Sequence, residues 1–251
     1  MASHTEGVHV RPDGQKVFVP LENNPEVFTE LIHRLGVSQS LRFHDVYSIT
    51  DPDLLAFLPR PCHALIFISP GDVYNRVHGR TEPREIIHDG TGDDEPVVWF
   101  KQTIGNACGL IALLHAVSNG PAREFIQSGS ILDDLLKQGM PLKPDERAKV
   151  LYDSVELERA HMASAVRGDS RAPPAEEDPG YHFLAFVKGK DGHLYELEGG
   201  FNGPVDLGEV KEGDDCLSER ALAQGVRRFV EKAEGNMEFS IIALCEEAVD
   251  E

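Results

Sequence analysis

The stretch from Lys101 to Ser118 constrains the fold of this chain more than any other. Its apolar side chains recur at helical spacing, at Leu110, Ile111, Leu113, Leu114 and Val117. Asn106 is a good N-cap residue, and Asn119-Gly120-Pro121 favours a helix end, since glycine adopts left-handed backbone geometry and proline cannot continue the hydrogen-bond ladder. The pattern predicts a buried apolar helix with Cys108 in its first turn.

Cys108 is the residue on which a functional interpretation depends. In the first turn of a helix, N–H groups without helical partners and the positive end of the helix dipole favour a thiolate over a thiol. A buried, inert cysteine that acts as a small hydrophobic residue is the alternative. The position of Cys108 favours a nucleophile.

A thiolate nucleophile needs a histidine as base and a third group that orients the histidine. The segment Tyr181–Val187 is typical of an apolar strand, and His193–Leu197 is typical of a second strand after a glycine-containing turn. Pairing the two as a hairpin places His182, near the start of the first, beside Glu198, at the end of the second. A core histidine and an exposed strand-end acid are the alternatives.

Gln102 supplies a fourth chemical group. Its side-chain amide, together with the backbone N–H of Cys108, would stabilise the oxyanion that forms during acyl transfer. Taken alone, a glutamine at this place would be a solvated loop residue. The four side chains together predict a thiol-dependent hydrolase.

These residues stand in motifs that resemble the ubiquitin C-terminal hydrolase family of cysteine peptidases, peptidase family C12. The motifs are Gln102-Thr-Ile-Gly-Asn-Ala-Cys108-Gly, Tyr181-His182-Phe and Gly192-His-Leu-Tyr-Glu-Leu-Glu198-Gly. Shorter similarities at residues 19–26, 43–47, 59–61 and 239–244 extend the resemblance over nearly the whole chain. It implies that Cys108 attacks the carbonyl of ubiquitin's terminal glycine, that His182 is the base and that Gln102 stabilises the oxyanion.

The resemblance also implies the fold. This is an α+β, papain-like cysteine peptidase architecture, in which a mainly antiparallel central sheet of about six strands is flanked by helices on both faces and the backbone is knotted. A length of 251 residues fits one domain over residues 1–251. The residue patterns predict a helix from Asn24-Pro25 to Gly36, a buried strand at Ala64–Ile68 and a helix from Pro144 through Val155.

The third catalytic position departs from the family pattern, which has aspartate where this chain has Glu198. Glutamate has one more methylene of reach, and serine–histidine–glutamate arrangements work on other folds. We therefore expect Glu198 to orient His182, with Asp206 as a nearby substitute if Glu198 points away. A ubiquitin-binding module that has lost turnover, and a hydrolase that prefers a ubiquitin-like modifier, are the alternative functions.

The net charge of −19 argues against a nucleic-acid binder and favours a basic partner. The resemblance identifies that partner as the arginine-rich C-terminal tail of ubiquitin, with Glu22, Glu26 and Asp45 at positions that contact it in the family. Each would otherwise be a solvated surface acid. We also count Asn106, beside the nucleophile, among the binding residues.

The segment at about residues 163–180 is rich in proline, glycine and charge and lacks apolar periodicity, which predicts a flexible crossover loop. A tolerated surface insertion is the alternative. In the family this loop straddles the catalytic cleft. The resemblance therefore implies substrates with small or unfolded leaving groups.

The four cysteines lack the paired spacing of a zinc site or a dense disulfide framework, and no metal or organic cofactor is implied. Cys62 and Cys245 lie in apolar runs and are predicted to be core, whereas Cys216 is predicted to be exposed, which favours a reducing compartment. No secretory signal and no bilayer-spanning apolar run is visible. We expect a cytoplasmic monomer, with entry into the nucleus left open.

Overall fold

The computed structural model describes residues 5–79, 87–170, 173 and 180–247. Over these ranges the strands are β1 (His9–Val10), β2 (Lys16–Val17), β3 (Leu41–Asp45), β4 (Cys62–Pro70), β5 (Tyr181–Lys188), β6 (His193–Leu197), β7 (Val205–Glu209) and β8 (Ser240–Glu246). The α-helices are α1 (Pro25–Leu35), α2 (Pro52–Ala56), α3 (Gly71–His78), α4 (Cys108–Ser118), α5 (Ile131–Gly139), α6 (Pro144–Asp153), α7 (Val155–Ala165), α8 (Glu219–Gln224) and α9 (Arg227–Glu231). Two short 3₁₀ helices span Gly92–Asp94 and Gly120–Phe125.

Six strands form one sheet in the order β3-β8-β4-β5-β6-β7, and each neighbouring pair is antiparallel. The central strand β4 includes the predicted buried strand at Ala64–Ile68, and its side chains are nearly all buried. Such burial on both faces requires a continuous apolar run, which is what the sequence has there. The predicted α+β fold with a mainly antiparallel central sheet is confirmed.

Helices cover both faces of the sheet, as predicted. Along β4, Ala64 and Ile66 belong to one core while Leu65 and Phe67 belong to the other, because successive side chains of a strand point to opposite faces. The first core contains residues of α1, α4, α5, α6 and α7, and the second contains residues of α3, α8 and α9. Helix α4 is buried from Gly109 to Ser118, which explains why its sequence has no polar face.

Helix α1 begins and ends where the sequence predicts. The Asn24 side chain accepts hydrogen bonds from the N–H groups of Glu26 and Val27, and Pro25 occupies the first helical position. Gly36 ends the helix with a φ of 94°. Local capping chemistry is sufficient to set both ends of this helix.

The predicted helix from Pro144 through Val155 is wrong in its extent. It begins at Pro144 but ends at Asp153, and a second helix begins at Val155. Ser154 separates them, because its side chain accepts a hydrogen bond from the N–H of Leu157 and so caps a new helix. The backbone of Ser154 is accordingly extended rather than helical.

The predicted crossover loop at about residues 163–180 lies only partly within the described residues. Helix α7 continues through Ala165, so the first residues of the predicted loop are helical. Residues 166–170 and Pro173 follow without helix or strand, and residues 171–172 and 174–179 lie outside the described residues. The flexibility of the loop, the knot and the single-domain assignment stay predictions.

Candidate active site

Cys108 is the first residue of α4, which confirms its predicted place in the first turn. The predicted cap is wrong. Ala107 precedes the helix without a side-chain cap bond, and Asn106 has a φ of 56°. The chain therefore turns at Asn106 in left-handed geometry instead of approaching the helix in the extended conformation of an N-cap residue.

Burial dominates the ionisation of Cys108. It raises the pKa of the thiol to about 11, although backbone hydrogen bonds at Phe183 and Gly109 act in the opposite direction. The nearby negative charge of Glu198 raises the pKa further. The N–H groups at the helix start lower the pKa of the thiol, as expected, but desolvation outweighs them and the pKa is raised overall.

A narrow cavity of about 170 Å³ opens at Cys108. Its lining is mostly apolar, and Glu22 and Ser170 are its polar members. The remaining lining residues are Pro20, Leu21, Ile68, Ala165, Pro173, Tyr181 and Phe183. Cys108 thus lies beside a recess that β4, the start of β5, the residues before α1 and the residues after α7 build together.

Strands β5 and β6 pair as the predicted hairpin, with Ala185 opposite Leu197 and Lys188 opposite Leu194. His182 is the second residue of β5, and Glu198 directly follows β6. Tyr74 of α3 contacts both. Its hydroxyl donates to Oε2 of Glu198 at 3.3 Å, and its ring stacks on the His182 ring with centroids 4.4 Å apart. The structure therefore brings the predicted base and the predicted acid to one end of the sheet.

Glu198 is buried, with 6% of its surface exposed. The N–H of Gly200 donates to Oε1 at 2.9 Å, while Tyr74 donates to Oε2. Burial raises the pKa of Glu198 in spite of both hydrogen bonds. The backbone is held as well, because the indole N–H of Trp99 donates to the Glu198 carbonyl at 3.0 Å.

Asp206 does not act as the substitute acid. It lies on β7, and its carboxylate oxygens contact Nδ1 of His193 at 2.9 and 3.0 Å. The side chains of this pair are well exposed to solvent. On β7, Asp206 lies opposite Tyr195 of β6, and its carboxylate pairs with the side chain of His193, two residues earlier on β6, so the interpretation of Asp206 as a replacement for Glu198 is wrong.

Gln102 lies in the loop that leads into α4. Its backbone N–H donates to the Gly199 carbonyl at 2.8 Å, which ties this loop to the residue after Glu198. Its side-chain Nε2 donates to the Ile104 carbonyl at 3.1 Å. A carboxamide nitrogen carries two hydrogens, so one donor remains for an oxyanion while the other orients the group.

The predicted binding residues fall into two places. Glu22 lines the cavity at Cys108, and its carboxylate accepts a hydrogen bond from the N–H of Ser170 at 2.9 Å. Glu26 and Asp45 line a separate groove of about 1130 Å³ along α1 and β3. Asn106 precedes Cys108 by two residues. The acids therefore form a cavity site and a groove site rather than one cluster.

The sequence analysis missed a buried ionic cluster behind the hairpin. Glu196 is fully buried, Nε2 of His78 contacts its Oε1 at 2.6 Å, and Nη2 of Arg228 contacts its Oε2 at 2.5 Å. Burial alone would raise the pKa of Glu196, but these two partners together hold it below its ordinary value. The available signal was the spacing of Glu196 and Glu198, since residues two apart in a strand share a face.

Cys62 and Cys245 are buried, as predicted, and lie opposite each other on β4 and β8. The prediction that Cys216 is exposed is wrong, because it is 1% exposed and its Sγ contacts the His63 carbonyl at 3.2 Å. Its acidic neighbour Asp215 is only partly exposed as well, because its carboxylate accepts a hydrogen bond from the N–H of Cys62 and pairs with Arg60. All four cysteines are free thiols.

Within the described ranges, no group of three His, Cys, Asp or Glu side chains is arranged to hold a metal ion. In the same part of the chain, no helix is both long enough and apolar enough to cross a membrane.

Solved structures with the same fold include two of UCH37 from Trichinella spiralis bound to ubiquitin vinyl methyl ester. The catalytic domain among them superimposes with a TM-score of 0.68 at 22% identity, over 92% of this chain and 95% of that chain. The second structure has a TM-score of 0.64 at 20% identity, over 91% of this chain and 82% of that one. At this identity the similarity establishes the fold.

Sequence comparison establishes the family. Ubiquitin carboxyl-terminal hydrolase isozyme L1 of Macaca fascicularis is 36% identical over 230 residues, which cover 91% of this chain and 98% of the relative. Ubiquitin carboxyl-terminal hydrolase YUH1 of Saccharomyces cerevisiae is 32% identical over 240 residues, 91% of this chain and 96% of that one. A profile of ubiquitin carboxyl-terminal hydrolase family 1 matches residues 18–231. The chain belongs to this family and is a cysteine-type deubiquitinase.

Proposed function

We propose that this deubiquitinase uses Cys108 as its nucleophile, His182 as its base and acid, Glu198 to orient His182, and Gln102 to stabilise the oxyanion. The observation that carries the proposal is the meeting of two chain segments. The backbone N–H of Gln102 donates to the Gly199 carbonyl at 2.8 Å. This hydrogen bond joins the loop before Cys108 to the end of the β5–β6 hairpin. This contact supports a single site built from residues that are far apart in the sequence.

The proposed reaction is acyl transfer through a thioester. His182 takes the proton of the Cys108 thiol, and the sulfur attacks the carbonyl carbon of ubiquitin's terminal glycine. Gln102 and backbone N–H groups stabilise the resulting oxyanion, and His182 then protonates the departing amine. Water, deprotonated by His182, attacks the thioester and releases the ubiquitin carboxylate and the Cys108 thiol.

Because the pKa of Cys108 is raised, we propose that its thiol loses its proton only when the substrate is bound. In the free protein a pKa of about 11 keeps the partly buried Cys108 thiol protonated near neutral pH. The proton therefore leaves when the base and the reacting carbonyl are in place, since active sites often tighten only in the substrate complex. On this proposal, substrate engagement and nucleophile activation occur together.

The direct test is release of a fluorophore from the C-terminus of ubiquitin. The intact protein should release it and Cys108→Ala should not. Cys216→Ala is the control, because it removes a free thiol that is buried outside the cavity and should leave turnover unchanged. Ubiquitin binding without release by the intact protein would instead identify a binding module, and faster release from a ubiquitin-like modifier would redefine the substrate.

We further propose that Glu22, Glu26 and Asp45 attract the basic tail of ubiquitin. Their support is the placement of Glu22 at the cavity beside Cys108 and of the other two in one groove. Attraction between exposed charges is screened by salt, so KM should rise with ionic strength and should rise less steeply in Glu22→Gln. Glu156→Gln makes the same change of charge on α7, outside both linings, and serves as the control.

We propose small or unfolded leaving groups for the physiological substrates. In support, Ser170 and Pro173, which follow α7, line the cavity at Cys108 together with Tyr181 and Phe183. This lining supports a substrate chain that reaches the sulfur through a narrow recess. Short ubiquitin adducts should be cleaved efficiently and folded ubiquitin dimers poorly; rapid cleavage of the dimers would contradict this proposal.

We propose that the protein works as a monomer in the cytoplasm. Four free thiols support a reducing compartment, in which such thiols persist. Light scattering of the purified protein and fractionation of cells test the two statements separately.

A further inference from the structure

Tyr74 is a buried side chain in contact with both residues that the proposed mechanism must hold in a fixed relation. It lies on α3 and is 8% exposed. Its ring stacks on His182 with centroids 4.4 Å apart and an interplanar angle of 28°. Its hydroxyl donates to Oε2 of Glu198 at 3.3 Å. A stacked neighbour restricts rotation of the imidazole, and a hydroxyl donor restricts rotation of the carboxylate.

Glu198 has particular need of such a restraint. Glutamate has one more rotatable side-chain bond than aspartate, so its carboxylate reaches further and is harder to hold in one place. Here the N–H of Gly200 fixes Oε1 at 2.9 Å and the Tyr74 hydroxyl fixes Oε2. Loss of the hydroxyl would leave a buried carboxylate oxygen without this donor, which is unfavourable and permits other rotamers.

The Tyr74 side chain is in turn packed against His78. The ring of His78, one turn later on α3, lies 4.4 Å from the Tyr74 ring, and His78 Nδ1 contacts the Tyr74 carbonyl at 3.0 Å. His78 Nε2 contacts buried Glu196 at 2.6 Å, and Arg228 contacts the other oxygen of that carboxylate. The Tyr74 ring therefore packs between a stacked His182 ring and a tilted His78 ring, and His78 in turn contacts the buried carboxylate of Glu196.

We propose that Tyr74 is a positioning residue, which sets the placement of His182 relative to Glu198 during acyl transfer. The inference rests on the proposed roles of these two residues and explains how a glutamate serves as the orienting acid. Tyr74 acts through the two side chains that it contacts. Its removal should therefore lower kcat and leave KM for ubiquitin substrates nearly unchanged.

The test compares Tyr74→Phe, which removes only the hydroxyl, with Tyr74→Leu, which removes the stacked ring as well. Loss of one hydrogen bond to a charged group predicts a fall in kcat of about tenfold for Tyr74→Phe, and loss of the ring predicts about a hundredfold for Tyr74→Leu. Fluorophore release from ubiquitin is measured below the melting temperature of every variant. Tyr195→Phe is the matched control, because its buried hydroxyl, on the same hairpin, contacts Asp191.

A double-mutant cycle separates positioning from a general effect on the fold. In a Glu198→Gln background, Tyr74→Phe should lower kcat by less than about twofold, because the charged acceptor of its hydroxyl is gone. The same tenfold loss in both backgrounds, or a kcat for Tyr74→Phe within twofold of the intact protein, would overturn the inference. Failure of the intact protein itself to release the fluorophore would instead refute the proposed function.

Discussion

His161 of α7 provides a quantitative test of the buried core. It has no exposed surface, and its Nε2 lies 2.8 Å from the Val19 carbonyl oxygen. Its ring packs on the Phe18 ring, with the two centroids 4.7 Å apart. Burial lowers the pKa of His161 from 6.5 to about 4. The contact between His161 and Val19 connects α7 to the residues before Glu22, which form one wall of the cavity at Cys108.

The lowered pKa of His161 makes the free energy of unfolding depend on pH through proton linkage. Above pH 6.5 the imidazole is neutral in the folded and unfolded chain, so its contribution to stability is fully present. Below that pH the unfolded chain takes up the proton first, and stability is lost as the pH falls toward the folded pKa of about 4. Linkage with these two values gives a loss of about 2 kcal/mol between about pH 7.5 and pH 5.

The measurement is urea unfolding of the intact protein and of His161→Gln at both pH values. Glutamine can still donate to the Val19 carbonyl but does not titrate, so the loss of unfolding free energy on acidification should be about 2 kcal/mol smaller in the variant. His193→Gln is the control of opposite sign, because Asp206 raises the pKa of His193. Equal losses in the intact protein and His161→Gln would refute the assignment of a buried, neutral imidazole.

Three further predictions follow from buried ionisable groups. Burial raises the pKa of the Cys108 thiol to about 11, so the rate of its alkylation in the free protein should rise about tenfold per pH unit up to about pH 10. Mass spectrometry measures this rate, and a plateau near neutral pH would contradict the prediction. Glu198→Gln should raise the melting temperature at about pH 7 while lowering turnover, because a carboxyl with a raised folded pKa destabilises the fold once it ionises; calorimetry beside the ubiquitin assay checks both. Arg147→Met should lower the free energy of unfolding in urea by about 3 kcal/mol, since it removes a fully buried partner of the Glu95 carboxylate, and adding Glu95→Gln should restore part of the loss.

Sequence patterns predicted correctly those features that depend on interactions between residues close together in the chain. The ends of α1 follow from Asn24, Pro25 and Gly36, since a cap forms with the next few residues and needs no other part of the chain. The hairpin of β5 and β6 follows from two apolar runs around a glycine-containing turn. The helix that starts at Cys108 was predictable from periodicity, although its capping residue was not.

Long-range packing decided the points at which the sequence misled. Asp206 looked like a substitute acid because it follows Glu198 closely, but in the folded chain its carboxylate pairs with the side chain of His193. Cys216 looked exposed because of its acidic neighbours, but its thiol faces the core. Neighbours in the sequence do not reveal the direction of a side chain in a loop, since that direction depends on what the loop packs against.

The sequence by itself determined the chemical parts of the site: a cysteine at a helix start, a histidine and a carboxylate at one end of a hairpin, and the motifs of a known family. Only the tertiary structure decided how those parts are tuned. Burial and the charge of Glu198 raise the pKa of Cys108, and Tyr74, which comes from a different helix, helps to place the Glu198 carboxylate. Desolvation and side-chain contacts between distant segments arise only when the chain is folded, so no local pattern encodes them.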